Sequence, residues 1–429
     1  EGKPFKSRWP EGKHTLAEEK NPFKDNLKFP QEFDPEKWIP ENDEMLYESL
    51  KRYTVKSEGG MNTDRIVVNM GPQHPSTHGV FRAALTLDGE TIAGLKPVVG
   101  YLHRNHDKIG ERNTFLQNMP FTDRLDYLAA MNCNCAWAWA VEKLAKIEVP
   151  ERAEYLRVIV CELNRISSHL IAFGSYTADM GAFTPFLYAI RERERVNDLF
   201  EMICGNRLTY NYARVGGVSG DAPPGFLEKT KEFLDYFEPK LDEYNNLISY
   251  NKIFVHRLAN VAVIPAEEAV AYGLTGPNLR GSGVPFDLRK DEPYSVYPKL
   301  DFKVCVGTGE RGTLGDCFDR YMVRINEMRE SVKIVRQAVA QIPDGPVLAK
   351  VPRVFKPPVG EAYFRSECPR GETGIYLISD ASVNPFRLKI RTGSFVTMNI
   401  FEKVTRGLMI ADVVAVIGSF DIILPEIDR

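Results

Sequence analysis

Between Asp316 and Ile342 apolar residues recur at Phe318, Met322, Ile325, Met328, Val332, Val335, Val339 and Ile342. The spacing is close to 3.6, so this stretch predicts one long amphipathic helix. Three other stretches carry helix punctuation. "PERAEYLRVIVCELNRISSHLIAF" opens with Pro150 as a first-turn residue. "TPFLYAIRERERVNDLFEMICG" has Thr184 as cap, Pro185 in the first turn and Gly205 as stop. "GFLEKTKEFLDYFEPKLDEYNNLI" reads as a helix interrupted at Pro239. Helices this long bury their apolar stripes against one another, so residues 124–345 predict a bundle.

The flanks read differently. In residues 63–123, "DRIVVNM" and "VFRAALTL" are strand-like, and Asp88-Gly89 turns the chain into "ETIAGL". In residues 346–429, "TGIYLISD", "FRLKIR" and "VVAVI" read as short strands. The fold class is therefore α+β, a central long-helix bundle with small antiparallel β elements at both ends. Residues 1–62 differ again, with Pro4, Pro10, Pro22, Pro30, Pro35 and Pro40 interleaved with Trp9, Phe23, Phe29, Phe33 and Trp38. Free tails are poor in aromatics, so this composition predicts an extended arm lying on neighbouring subunits.

Composition narrows the class. The chain has 429 residues, 43% hydrophobic, with a net charge of -3, which argues against a nucleic-acid partner. Seven scattered cysteines form no C-x-x-C pair, so a reduced compartment is expected and a zinc ribbon is not. No signal-like segment is read. The longest apolar run, "GLMIADVVAVIGSFDIIL", carries Asp412 and Asp421 and is ill suited to cross a bilayer. The expectation is a soluble protein or one peripheral to a membrane.

The candidate chemistry starts at "GPQHPSTHGV", where His74 and His78 sit in a loop that Pro75 keeps out of the helical region. A metal reading needs further ligands that are not nearby, leaving a backbone-bonded histidine or a proton-handling one. "RERER" (Arg191 to Arg195) predicts ion pairs on a helix surface. "LRGSG" and "DLRK" lack the spacing of a phosphate loop. Residue by residue, this yields one provocative loop and no function.

Taken together, the motifs resemble a known family. "GPQHPSTHGV", "GYLHRN", "DRLDY", "AVEKL", "ELNRISSHL", "DMGAFTPF", "LRGSG", "DLRK" and "DVVAVIGSFDIILPEIDR" occur in the order found in the hydrogenase-like large subunit of respiratory complex I. The resemblance implies the fold of nickel–iron hydrogenase large subunits. The two C-x-x-C pairs that would hold nickel are replaced here by Asp126 and Ala129 and by Ile423 and Glu426. Thiolate ligation is therefore excluded, and the resemblance implies that the emptied metal cavity takes a quinone headgroup instead.

The same resemblance assigns roles. His78 is expected to hydrogen-bond a quinone carbonyl, with Asp179 of "TADMGAF" paired to it, both acting in proton delivery. Ile171 and Ser175 are expected to line the site. The family's second ligand is a tyrosine where this chain has Phe121, which has no donor. Either one side-chain donor suffices, with water or backbone serving the other oxygen, or the site is impaired, or the ring stacks on a two-ring headgroup, which favours menaquinone over ubiquinone as substrate. Arg104 and Thr209 are expected beside a 4Fe-4S cluster on the adjacent small subunit. Thr209 stands where many members have a histidine that makes the cluster's potential follow pH.

This chain alone is expected to bind no cofactor or metal. Its expected partners are the cluster-bearing small subunit, other peripheral-arm subunits and a membrane-embedded junction subunit. The expected location is the cytoplasmic face of a bacterial plasma membrane, with the mitochondrial matrix face as alternative. A ferredoxin-driven relative and a non-catalytic scaffold are the competing functions.

Overall fold

The computed structural model describes residues 65–429, so the expected arm over residues 1–62 lies outside the described residues. The first layer is a three-stranded antiparallel sheet in which β1 (Ile66–Met70) pairs with β2 (Arg82–Asp88), and β2 with β3 (Thr91–Val98). Asn69 faces Ala84 and Leu85 faces Leu95, as the alternation and the Asp88-Gly89 turn predict. Two short helices follow, α1 (His106–Arg112) and α2 (Met119–Thr122).

Four long helices build the bundle: α3 (Ala130–Ala145), α4 (Glu151–Asp179), α5 (Phe183–Cys204) and α6 (Phe226–Tyr244). A two-residue ladder joins β4 (Ala213–Arg214) to β5 (Gly217–Val218) between α5 and α6. After α6 come the short α7 (Lys252–Leu258), α8 (Ala266–Ala271), α9 (Gly276–Arg280) and α10 (Leu288–Asp291), then the long α11 (Cys317–Gln341). The second sheet is β6 (Gly360–Cys368), β7 (Gly371–Ser379) and β8 (Arg387–Arg391), antiparallel in that order. It is followed by α12 (Gly393–Thr405), α13 (Ile410–Phe420) and α14 (Leu424–Asp428).

Helix α11 follows the periodicity read above. Asp316 caps it by accepting the Asp319 N–H, and Phe318, Ile325, Met328, Val332 and Val335 are all buried. Each contributes about 1.5–3 kcal/mol of transfer free energy. Helix α4 is the axis of the bundle, packed against α3, α5, α11 and α13. One apolar core runs from the first sheet through the bundle to α13; a second joins α3 to the second sheet around Trp137, Ile375 and Leu388.

Four expectations need correction. Pro150 is the cap of α4, not part of its first turn. Helix α5 starts at Phe183, with Ala182 and not Thr184 as cap. Helix α6 runs through Pro239. An internal proline costs roughly 3 kcal/mol, but Phe233, Phe237, Leu241 and Tyr244 on both sides of it are buried, and that burial outweighs it. "VVAVI" belongs to helix α13, where Asp412 accepts the Met409 N–H at 3.2 Å and Val413, Val416, Ile417 and Phe420 are buried at helical spacing. A short apolar run does not distinguish a buried helix from a strand.

Charged residues occupy the bundle interior. Glu162 of α4 accepts from Tyr297 and Ser331 and pairs with Arg165 and Arg289; Arg289 pairs with Asp287. Arg280 bridges Glu327 at 2.7 Å and Glu367 at 2.8 Å, and Glu327 also meets His169 at 2.9 Å. The arginines of "LRGSG" and "DLRK" are thus buried struts between helices and the second sheet. "RERER" is only partly a surface network: Arg207 meets Glu194, Asp198 and Glu201 in the open, but Glu192 is buried and accepts from Tyr236 at 2.6 Å.

Candidate functional site

The histidine loop is closed by backbone constraints. Gly71 has φ +89, and a methyl group there would fall 1.9 Å from the Phe81 carbonyl oxygen, so only glycine fits. Residues Pro75–Thr77 form a single 3₁₀ turn capped by His74, whose Nδ1 accepts the Ser76 N–H at 3.2 Å. His74 is therefore an exposed structural histidine. His78 ends the turn in the left-handed region, φ 54, which swings its ring away from the turn. Its Nε2 lies 2.6 Å from Asp179 Oδ2, with the two side chains 15% and 14% exposed. Its Nδ1 has no hydrogen-bond partner among the described residues.

Asp179 is the last residue of α4. Most of the helix is buried, yet Ile171, Ser175, Ala178 and Asp179 are only partly so and fall on one face by helical spacing. Ile171 and Ser175, the expected lining residues, thus share a helix face with Asp179, the partner of His78. Ser175 spends its hydroxyl hydrogen on the Ile171 carbonyl at 2.7 Å, which leaves it an acceptor for anything outside. An apolar rim that the motifs did not single out continues the face: Phe183 is 60% and Leu187 53% exposed at the start of α5. Its signal was the aromatic pair of "FTPFL", directly after the Asp179 motif.

Phe121, Arg104 and the loop holding Thr209 belong to segments tied to one another by hydrogen bonds. Phe121 stands on α2, 40% exposed. The Arg104 guanidinium donates to the Arg124 carbonyl, and that of Arg124 donates to the carbonyl of Pro120. The loop holding Thr209 is tied to the same segment by the Asn211 N–H, which donates to Asp123 Oδ2 at 2.7 Å. Burial, reinforced by Arg124, lowers the Arg104 pKa. His106 is pushed down to about 4, chiefly by burial and then by Arg104, so it is neutral at pH 7. Asp123 was not singled out from the sequence. Burial drives it up to about 7 despite the Asn211 N–H, and its Oδ1 has no hydrogen-bond partner among the described residues.

The model for "Respiratory-chain NADH dehydrogenase, 49 Kd subunit" matches residues 179–358 and 350–429. The second D-type chain of the NADH-quinone oxidoreductase of Sorangium cellulosum is 56% identical over 374 residues, covering 86% of this chain and 96% of the relative. The chain belongs to the 49 Kd subunit family. The corresponding NADH-quinone oxidoreductase chain of Desulforamulus reducens is 52% identical over 368 residues (86% and 99% of the two chains), and that of Bacillus mycoides 51% over 369 (86% and 100%).

Two of the residues at the positions that the resemblance equates with lost metal ligands are carboxylates. Asp126 and Glu426 are buried, and the guanidinium of Arg370 is packed against Asp126 at 2.5 Å, Asp421 at 3.2 Å and Ser168 at 3.1 Å. Glu426 accepts from the Ser394 hydroxyl, and burial, then Asp126, lifts it to about 8. No group of three or more His, Cys, Asp or Glu residues is placed to hold a metal ion among the described residues. No described helix is long and apolar enough to cross a membrane.

Proposed function

We propose that this chain is the subunit of NADH-quinone oxidoreductase that receives the quinone headgroup and delivers protons to it. The observation that carries the reading is the contact between His78 and Asp179, 101 residues apart in sequence and 2.6 Å apart in space. Asp179 accepts the Nε2 hydrogen of His78, which fixes the ring's orientation and turns Nδ1 outward. When Nδ1 carries a proton, it can donate to a quinone oxygen that gains negative charge on two-electron reduction. The electrons come from a 4Fe-4S cluster held by the adjacent small subunit.

The other residues fit supporting roles. Ser175 and Ile171 line the Asp179 face, and Phe183 and Leu187 offer an apolar surface to the quinone's hydrocarbon tail. Phe121 stacks on the headgroup, which suits a two-ring menaquinone better than ubiquinone. Arg104 and Thr209 face the cluster, with Arg104 raising its potential and Thr209 leaving that potential less dependent on pH. The remaining partners are other peripheral-arm subunits and a membrane-embedded junction subunit, with the chain peripheral on the cytoplasmic face of a bacterial membrane.

The test is His78→Ala in the assembled complex. Losing a positioned general acid costs about 10²- to 10⁴-fold in rate. Quinone reduction should fall by that order while NADH still reduces the nearest iron–sulfur cluster. Normal turnover would end the reading.

A further inference from the structure

The short helix α14 touches both sides of the proposed headgroup site. On the His78 side, Leu424 is fully buried under the loop. A methyl group added at Gly79, the residue after His78, would fall 3.3 Å from the Leu424 Cβ, Cγ and Cδ2. The 3₁₀ turn before it packs on the adjoining α13. Nothing soft separates Leu424 from the loop.

On the Phe121 side, Asp428 organises the turn from Gly100 to Arg104. Its carboxylate accepts the Gly100 N–H at 2.7 Å and the Leu102 N–H at 2.7 Å. The Asp428 backbone carbonyl accepts from His103 Nδ1 at 2.6 Å. Bonds to an ionised acceptor are about twice as strong as neutral ones, so this turn is held tightly. It ends at Arg104, whose guanidinium donates to the carbonyl of Arg124; Arg124 in turn donates to that of Pro120. Phe121 is the next residue. Helix α14 is itself anchored, since Thr392 Oγ1 donates to the Glu426 carbonyl at 2.9 Å and Arg429 donates to the Ile390 carbonyl at 2.7 Å.

We propose that Asp428 is a positioning residue for the quinone reaction: with Leu424 it makes α14 a strut that sets the separation between His78 and Phe121. A strut fixed at both ends selects headgroup size, because the gap cannot relax around a smaller or larger ring. The inference rests on the proposed quinone reading.

The experiment uses the assembled complex carrying Asp428→Asn, assayed with short-chain quinones of one-ring and two-ring headgroup. Asparagine keeps the shape and loses the charge on the two N–H bonds. The KM per assembled complex should rise about tenfold, with kcat within about twofold, and the preference between the two headgroups should shift. A purely structural role would lower the amount of complex and leave both KM and preference unchanged, which overturns the proposal. If Asp428→Asn does not assemble, Leu424→Val, shortening the other end of the strut, decides by the same readouts. His78→Ala run in parallel separates the two ideas. Normal turnover there sinks the quinone reading itself, whereas an inactive His78→Ala beside strut variants of unchanged KM sinks the strut alone.

Discussion

Replacing Arg370 by methionine tests how strongly the buried ion pairs of this guanidinium hold the fold together. Methionine approximates the side chain's length and removes its charge and donors. Arg370 is 1% exposed and serves Asp126, Asp421 and Ser168 at once. Removing one partner of a buried ion pair costs about 3–5 kcal/mol, because the other charge stays behind. The two carboxylates are not equally stranded. Asp126 keeps the N–H groups of Leu128 and Ala129 at 3.1 and 3.2 Å, and Asp421 keeps Arg324 at 3.7 Å. The low end, about 3 kcal/mol, is therefore expected. A unit of this size shifts by roughly 1.3 °C per kcal/mol, so Tm should fall by about 4 °C. The assay is thermal unfolding followed by tryptophan fluorescence, for which Trp137 and Trp139 on neighbouring α3 are suitable reporters. Adding Asp126→Asn should recover about half of the loss by removing the stranded charge. An unchanged Tm in the single variant, or no recovery in the double, would show that these charges are not coupled and would refute the reasoning.

Three further expectations follow from the same contacts. Asp123 has a folded pKa of about 7 against an ordinary 3.8, so stability present in acid is lost as pH rises through 7; Asp123→Asn should gain on the parent by about 3 kcal/mol between pH 5 and 8. Urea midpoints that run parallel across that range would contradict it. Gly71→Ala should disrupt the histidine loop, since its methyl would meet the Phe81 oxygen at 1.9 Å; assembly with normal quinone affinity would show that the loop tolerates the shift. Phe121→Tyr should improve use of one-ring quinones relative to two-ring ones by about tenfold, the scale of one added hydrogen bond. Extraction of ubiquinone alone from the parent complex would remove the basis for that preference.

The fold was legible where local rules agree with tertiary packing. The period of Phe318 to Val339 predicted α11, and Asp88-Gly89 predicted the β2–β3 turn, because each depends on neighbours in sequence. The buried charges were illegible for the opposite reason. Glu162, Arg280, Asp287, Arg289 and Glu327 carried no local sign of burial, since such groups are almost never buried unless paired. Their partners are distant in sequence: Arg289 meets Glu162 across 127 residues, and Arg280 meets Glu367 across 87. The site behaves likewise. Residue types alone left His78 as a structural histidine or a proton donor; only the family resemblance named Asp179. Arg370 was missed because a single arginine in "PRGETG" carries no local sign that it fills a cradle built from two ends of the chain.

The placement of the two charge systems bears on why the site takes this form. Paired charges in the interior are costly to desolvate and rigid once matched, and here they tie α4, α9, α10, α11 and the second sheet to one another. The His78–Asp179 pair sits at the end of α4, where one face of the bundle axis emerges, so it is carried by this ion-paired frame. Just beyond it, at the start of α5, Phe183 and Leu187 remain exposed, an apolar surface that a lone folded chain gains nothing by presenting. On the proposed reading this chain supplies the donor and one wall, and neighbouring subunits close the remainder against water. A strained or mobile support would let the headgroup drift from Nδ1, and a displacement of 1 Å costs about a hundredfold in rate. On the proposed reading, a buried lattice of ion pairs behind a half-open pair suits proton delivery where subunits meet.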